Sequence, residues 1–300
     1  MKFAVTGSTG MIGSAVREWL RQRGHQVNRL VRPQSSSHEP QDIPWDFEKK
    51  TIALDRLEGH DVVAHFAGAN IADRRWTPRY KKLIYDSRVE GTRFLAESVT
   101  KLRRPPKLFL SASAVGYYGD HPERTPIDEA GDVGKGFLAE VCRDWELAAK
   151  SAQQHGIRVV PMRFGMVLDT RGGALAKMLP VFQWGLGGPI GSGKQMISWI
   201  ALWEIPQIVY YLSQQDKVNG PVNVVAQQAV TNQTFAKTLG HILSRPAVLP
   251  FPKAAVSLVF GEMGRELLLN GATVVPQRLQ ELGYKFAYPD LKSALTSILK

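Results

Sequence analysis

The stretch TGSTGMIG, residues 6–13, constrains this chain more than any other. It follows the apolar run KFAV and opens a segment in which Met11, Ile12, Ala15, Val16, Trp19 and Leu20 recur at helical spacing. Gly7, Gly10 and Gly13 stand in a GxxGxxG pattern between the two. A strand that passes through such glycines straight into a helix lets the backbone approach a pyrophosphate, and the helix N-terminus stabilises its negative charge. Gly24 stands where a helix C-cap belongs, and QVNRLVR supplies the next strand. A strand, helix and strand in this register imply a parallel pair with a crossover helix.

The pattern continues. DVVAHFAG (61–68), KLFLSASAV (107–115) and IRVVPMRFG (157–165) are short apolar runs. They are separated by helical segments through Tyr80 to Leu102 and through FLAEVCRDWELAAKSAQQ. In the latter, Phe137, Leu138, Val141, Cys142, Trp145, Ala148 and Ala149 share one face. The expected fold is therefore α/β, a Rossmann-type doubly wound parallel sheet with a smaller, mostly helical C-terminal domain. The first domain is expected over 1–165, with 201–226 returning to it through the helix WEIPQIVYYLSQQ and the strand PVNVV. The second is expected over 166–300, containing the glycine-rich loop GLGGPIGSGK (185–194) and a closing helix in DLKSALTSIL. No internal repeat or low-complexity tract interrupts it.

Thr6, Gly7, Thr9, Gly10, Met11, Ile12 and Gly13 are thus candidate cofactor contacts. Arg32 closes the second strand, where an NAD enzyme places an Asp or Glu on the ribose hydroxyls, and no acid lies between Glu18 and Glu39. A guanidinium pairs with a 2′-phosphate that a carboxylate would repel, so NADP(H) is expected over NAD. Ala67 and Gly68 offer small residues where a flat cofactor lies close, and Arg163 and Gly165, at the end of another strand, join the candidate set. His65, inside a strand, reads as a packed core residue.

The formal charge of +11 and the pI near 9.8 invite a nucleic-acid reading. The basic residues are dispersed, however, and the tightest groups (Arg74–Arg75, Lys81–Lys82, Arg103–Arg104) sit in no nucleic-acid-binding signature. A solvated basic surface that attracts an anionic cofactor or small-molecule substrate is the expectation, with no nucleic-acid and no membrane partner. The single cysteine, Cys142, excludes an internal disulfide and fits a reducing compartment. MKFAVTG is too short a run for a signal peptide, and no uncharged apolar stretch reaches membrane-spanning length, so a cytoplasmic protein is expected, with no metal site.

Taken together, TGSTGMIG, HFAGANIADRRWT, SRVEGT, SASAVGYYGD, CRDWE, GLGGPIGSGKQMISWI and RLQELGYKFAYPDLKSAL resemble the atypical extended short-chain dehydrogenase/reductases, the nucleoside-diphosphate-sugar epimerase-like family with a characteristic C-terminal domain. The resemblance spans nearly the whole chain. It implies NADP(H) binding, a substrate cleft between the domains, a sugar-nucleotide-like substrate and, by analogy with dimeric relatives, pairing of helices such as 80–102 in a homodimer. In ordinary members of the superfamily a Tyr is the acid/base, a Lys four residues on lowers its pKa, and a Ser binds the reacting oxygen. Ser113, four residues before Tyr117, fits the SxxxY pattern, and both are the candidate catalytic residues. The YxxxKxxxE pattern, counted back from Glu146, puts Cys142 at the Lys and Leu138 at the Tyr. Cys142 lies on the apolar stripe of its helix and reads as an inert thiol. SWIALWE carries Ala201 where the family has a His. Two functions follow: an NADP(H)-binding oxidoreductase or epimerase, or a cofactor-binding sensor or structural protein that has lost catalysis.

Overall fold

The computed structural model describes residues 1–35, 39–288 and 290–300. The first half alternates strands and helices: β1 (Lys2–Thr6), α1 (Met11–Gln22), β2 (Gln26–Val31), β3 (Ile43–Asp46), β4 (Thr51–Ile52), α2 (Leu54–Leu57), β5 (Val62–His65), α3 (Pro78–Val99), β6 (Leu108–Ala114), α4 (Phe137–Ala149) and β7 (Arg158–Phe164). Shorter elements follow: β8 (Met166–Leu168), α5 (Gly173–Gln183), β9 (Met196–Ile197), β10 (Trp199–Ala201), α6 (Glu204–Ser213), β11 (Val222–Val224), β12 (Val230–Thr231), α7 (Asn232–Ile242), α8 (Lys253–Gly264), α9 (Gln277–Glu281) and α10 (Leu291–Leu299).

Eight strands form the main sheet in the order β11-β7-β6-β5-β1-β2-β3-β4, parallel throughout except for the last pair. The chain fills the sheet outward in one direction from β1 and in the other from β5. Between them lies the topological switch point, whose crevice at the carboxyl ends of the strands is where such sheets bind ligands.

Alternating residues of each central strand feed two cores. Phe3 and Val5, with Leu110 and Met162, pack against Val16 and Leu20 of α1 and Ile205, Ile208 and Leu212 of α6. Ala4, Val63, Phe109 and Val159 pack against Leu95 and Val99 of α3 and Ala149 of α4. A third core gathers Leu168, Leu175, Phe182, Trp199, Phe235, Leu239, Leu291 and Leu295 from the later elements. Helix α6 packs on α1, and β11 is the edge strand of the main sheet beside β7.

Local chemistry sets the boundaries. Helix α3 begins ahead of Tyr80 because the Thr77 hydroxyl accepts the Tyr80 amide at 3.2 Å and Pro78 occupies the first turn, where a missing N–H costs nothing. Helix α4 stops at Ala149, and residues 150–155 continue as a 3₁₀ turn into Gly156. Glu204, fully buried at the start of α6, accepts the Ala287 amide at 2.7 Å and the Tyr284 hydroxyl at 3.2 Å, which ties the C-terminal segment down. Among the described residues no helix is long and apolar enough to cross a membrane.

Candidate cofactor and substrate cleft

The glycine loop is a close-packed cradle. Gly7 has φ +61, and a Cβ on it would lie 2.7 Å from the carbonyl carbon and oxygen of Phe66. A Cβ on Gly13 would come within 2.3 Å of the Gly7 carbonyl oxygen, so the first turn of α1 sits directly on the loop. Gly10 caps α1 without any side-chain hydrogen bond, leaving the helix N–H groups of the first turn open to an anion. These features fit a dinucleotide pyrophosphate. Thr9 and Gly10 are exposed, Met11 and Ile12 half-buried, and the Met11 sulfur reaches across to Gly172, where a Cβ would lie 3.5 Å away.

Thr6 has a different part. Its hydroxyl is buried, accepts the amides of Phe66 and Ala67 at 3.0 and 3.2 Å, and lies 2.6 Å from His65 Nδ1. With its acceptor sites taken by backbone, the hydroxyl proton points at Nδ1, and His65 carries its hydrogen on Nε2, which has no partner among the described residues. Burial pushes the His65 pKa down to about 3, so the ring stays neutral, packed beside Trp45 and Phe109. Thr6 and His65 thus lock the β1 and β5 ends together. Arg32 follows β2, exposed and without an ion pair among the described residues. Ala67 and Gly68 lie just beyond β5, the first half-buried and the second exposed.

Ser113 and Arg163, on neighbouring strands in direct register, meet at Glu146 of α4. The Ser113 hydroxyl donates to Glu146 Oε1 at 2.7 Å. Arg163 grips the same carboxylate with Nε and Nη2 at 2.8 and 2.9 Å, and its Nη1 donates to the Tyr118 hydroxyl at 2.8 Å. Tyr118 passes its own proton to Asn223 of β11, at 2.7 Å, and the Asn223 amide donates to Glu129. Every member of this chain is buried. Burial pushes the Tyr118 phenol up to about 12 and raises the Glu129 carboxyl, while Glu146 more than offsets burial for Arg163 and raises it further. Tyr117 is half-buried, with Arg163 Cζ 3.6 Å above its ring and no hydrogen bond to its hydroxyl among the described residues. It lines a cavity of about 250 Å³ with Glu129, Arg163 and Lys150.

The structure therefore brings Ser113, Tyr117 and Arg163 together around Glu146, and among the described residues no hydrogen bond joins this cluster to the glycine cradle. Arg163 is held by Glu146 and the two tyrosines, and Gly165 is closed in by the Ser198 carbonyl oxygen, 2.6 Å from where its Cβ would be. Leu138 and Cys142 both face Gly116, their nearest atoms 3.4 and 3.9 Å from a Cβ placed there. The Cys142 thiol is buried, and burial, with Glu146 behind it, pushes its pKa up to about 12.

This geometry has relatives. Residues 3–180 match the NAD dependent epimerase/dehydratase family, and residues 251–298 match a domain of unknown function, DUF1731. The chain belongs to the NAD dependent epimerase/dehydratase family. Within it, Epimerase family protein Mb2239 of Mycobacterium bovis is 39% identical over 97% of this chain and 95% of its own. The crystal structure of human epimerase family protein SDR39U1 with NADPH superposes with a TM-score of 0.90, at 36% identity and 99% coverage of both chains. UDP-glucose 4-epimerase of Thermotoga maritima, with UDP-glucose, shares the fold at a TM-score of 0.77 and 20% identity, covering 99% and 97% of the two chains.

In this member the DUF1731 segment packs against the start of α3 and the chain just before it. Lys81 Nζ pairs with Glu262 at 2.7 Å and lies 4.4 Å above the Phe137 ring, and Arg75 donates to the Leu258 carbonyl at 2.8 Å. The loop 185–194 is held by Gln195, which donates to the carbonyls of Ile190 and Leu268, while Lys194 stays exposed. Ala201, where the family has a His, is fully buried in β10 and presents nothing to the cleft. Asp120 accepts the Gly271 amide, Arg143 pairs with Asp144 at the surface, and Glu140 is exposed, so none of the three replaces the missing pair. One residue within these motifs was given no role by them: Arg88 of α3, half-buried against Gly68 at the end of β5. It shares the inward stripe of Ile84, Thr92 and Leu95, and a cation on a buried stripe was visible in the sequence.

Proposed function

We propose that this protein is an NADP(H)-dependent oxidoreductase or epimerase acting on a small, anionic, sugar-nucleotide-like substrate in the cytoplasm. The observation that carries the reading is the cradle: side chains on Gly7 or Gly13 would collide with the backbone of Phe66 and of the loop itself, so these glycines permit the tight strand-to-helix turn that brings the start of α1 to a pyrophosphate. The cofactor supplies or accepts hydride at a carbon bearing oxygen. Arg32, exposed beyond β2, would pair with a 2′-phosphate.

The chain's own groups favour the reductive direction. Ser113 has committed its proton to Glu146, so its oxygen is left as an acceptor. Tyr118, with its phenol raised to about 12, gives no base at neutral pH. Of the carboxylates near Ser113, Glu146 is engaged by Arg163 and Glu129 by the amides of Asn223 and Arg278, whereas stabilising a developing oxyanion requires only donors and positive charge. A second reading, a cofactor-binding sensor, is favoured by Leu138 and the inert Cys142 in the two catalytic places.

Two measurements decide. Calorimetry should show NADPH binding more tightly than NADH by about tenfold or more, with Arg32→Glu reversing the order. Deuteride from 4-deuterated NADPH should appear in a metabolite of a cell extract at a rate that exceeds the protein-free control. Binding without any transfer would leave the sensor; no nucleotide binding would overturn both.

A further inference from the structure

The superfamily's Lys is absent from α4, yet its charge is present. We propose that Arg88 of α3 supplies the fixed positive charge at the nicotinamide end of the cleft, selecting the reduced cofactor over the oxidised one and offering its free N–H groups to an anionic substrate oxygen. The inference rests on the cofactor reading above.

The guanidinium lies flat on the chain just past β5. A Cβ on Gly68 would stand 3.3 Å from Cζ and 3.5 Å from both Nη1 and Nη2, so only the missing side chain makes room for it. Nη1 is fixed by the carbonyls of Ala69 and Ile84, at 2.9 and 3.3 Å. On the far side Cζ sits 5.1 Å from the Trp145 ring, which is itself held by a 2.7 Å hydrogen bond to Thr92. The position is therefore set from three directions.

What the group lacks is a counterion. Among the described residues no carboxylate pairs with Arg88, and Nε and Nη2 make no hydrogen bond. The ionisable side chains that face it are Cys142 of α4 and Tyr80 of its own helix. Cys142 is a neutral thiol, and Tyr80 donates its proton to the Asn70 carbonyl. A half-buried guanidinium keeps its charge, and a single uncompensated charge at the switch point acts on whatever binds there. In an ordinary Tyr–Lys site the phenolate balances the ammonium. Here nothing does. The oxidised nicotinamide ring is cationic and the reduced ring neutral, so Arg88 disfavours the former.

Dissociation constants of NADPH and NADP⁺ for the full chain test this, in the wild type and in Arg88→Met, Arg88→Gln and Arg88→Lys. The wild type should prefer NADPH by about tenfold or more. Arg88→Met and Arg88→Gln should bring the ratio to within about threefold of unity, and Arg88→Lys should keep most of the preference. If Arg88→Met fails to fold, Arg88→Gln, which retains a donor for the Ala69 carbonyl, decides. An unchanged ratio in the neutral variants, a parallel weakening of both nucleotides, or a wild-type ratio near one overturns the inference, since a purely structural prop would not distinguish the two cofactors. A wild type that binds neither nucleotide would instead sink the cofactor reading itself.

Discussion

Replacing Glu146 by Gln leaves its shape and removes its charge, and the structure says what that does. Glu146 and Arg163 form a two-pronged pair at 2.8 and 2.9 Å, with side chains 8% and 3% exposed. Removing one partner of a buried pair strands the other, at a cost of about 3–5 kcal/mol. Arg163 keeps the Tyr117 ring and the Tyr118 hydroxyl, which places the loss toward about 3 kcal/mol. An unfolding entropy of about 2.1 cal/mol/K per residue gives a chain of this length about 0.6 kcal/mol per degree, hence a fall in Tm of about 5 °C. Calorimetric melting of the nucleotide-free protein reads it. The double variant Glu146→Leu/Arg163→Met removes both charges and should recover most of the loss, leaving about 1 kcal/mol for the Ser113 hydroxyl. NADPH affinity should stay within about threefold of wild type in both, since no atom of the pair reaches the glycine cradle. A Glu146→Gln protein that melts within about 1 °C of wild type, or a double variant as unstable as the single one, would refute the reasoning. Unchanged melting with lost NADPH binding would make the network part of the cofactor site.

Gly13→Ala puts a methyl 2.3 Å from the Gly7 carbonyl oxygen, and NADPH titration should show affinity lowered by about a hundredfold or more, with Gly24→Ala, far from the loop, as the control that leaves it unchanged. Cys142, with its pKa moved from 9.0 to about 12, should react with a disulfide reagent at pH 8 about a thousandfold more slowly in the folded protein than after denaturation, and comparable rates would show the thiol accessible. His65 binds a proton in the unfolded chain near 6.5 but in the folded protein only near 3, so stability should fall as pH drops below about 6.5. Between pH 7 and 5 its share is about 2 kcal/mol, and denaturant melts of His65→Asn should lack that part of the slope.

The parallel sheet and its helices were legible because the central strands lie within unbroken apolar runs such as KFAV and DVVAHFAG, and the Met11–Gln22 helix is long enough to show its period. The edge strands β3 and β4 and the two-stranded pairs β8–β10 and β9–β12 were not, since runs of two to four residues have no period to read. Their pairing is decided by what the third core presses together. The site divides in the same way. The glycine cradle is local in sequence and was read directly. The Ser113–Glu146–Arg163–Tyr118–Asn223 chain joins residues from three strands, one α-helix and a 3₁₀ turn, so Glu146 looked like a landmark for a missing Lys when it is the counterion of Arg163.

That exchange bears on the chemistry. A Tyr–Lys pair both positions charge and moves a proton, because its phenol and ammonium titrate within reach of neutral pH. Arg88 does only the first, since a guanidinium does not give up its proton. A site that holds charge without shuttling protons can stabilise an oxyanion as hydride arrives, but it cannot begin an oxidation by taking the proton of a substrate hydroxyl. Tyr117, whose hydroxyl has no partner among the described residues, or solvent must then deliver the final proton to the reduced oxygen. On this reasoning Tyr117→Phe should slow reduction modestly, by no more than solvent makes up, whereas Arg88→Met should abolish it while leaving Ser113, Glu146 and Arg163 in place.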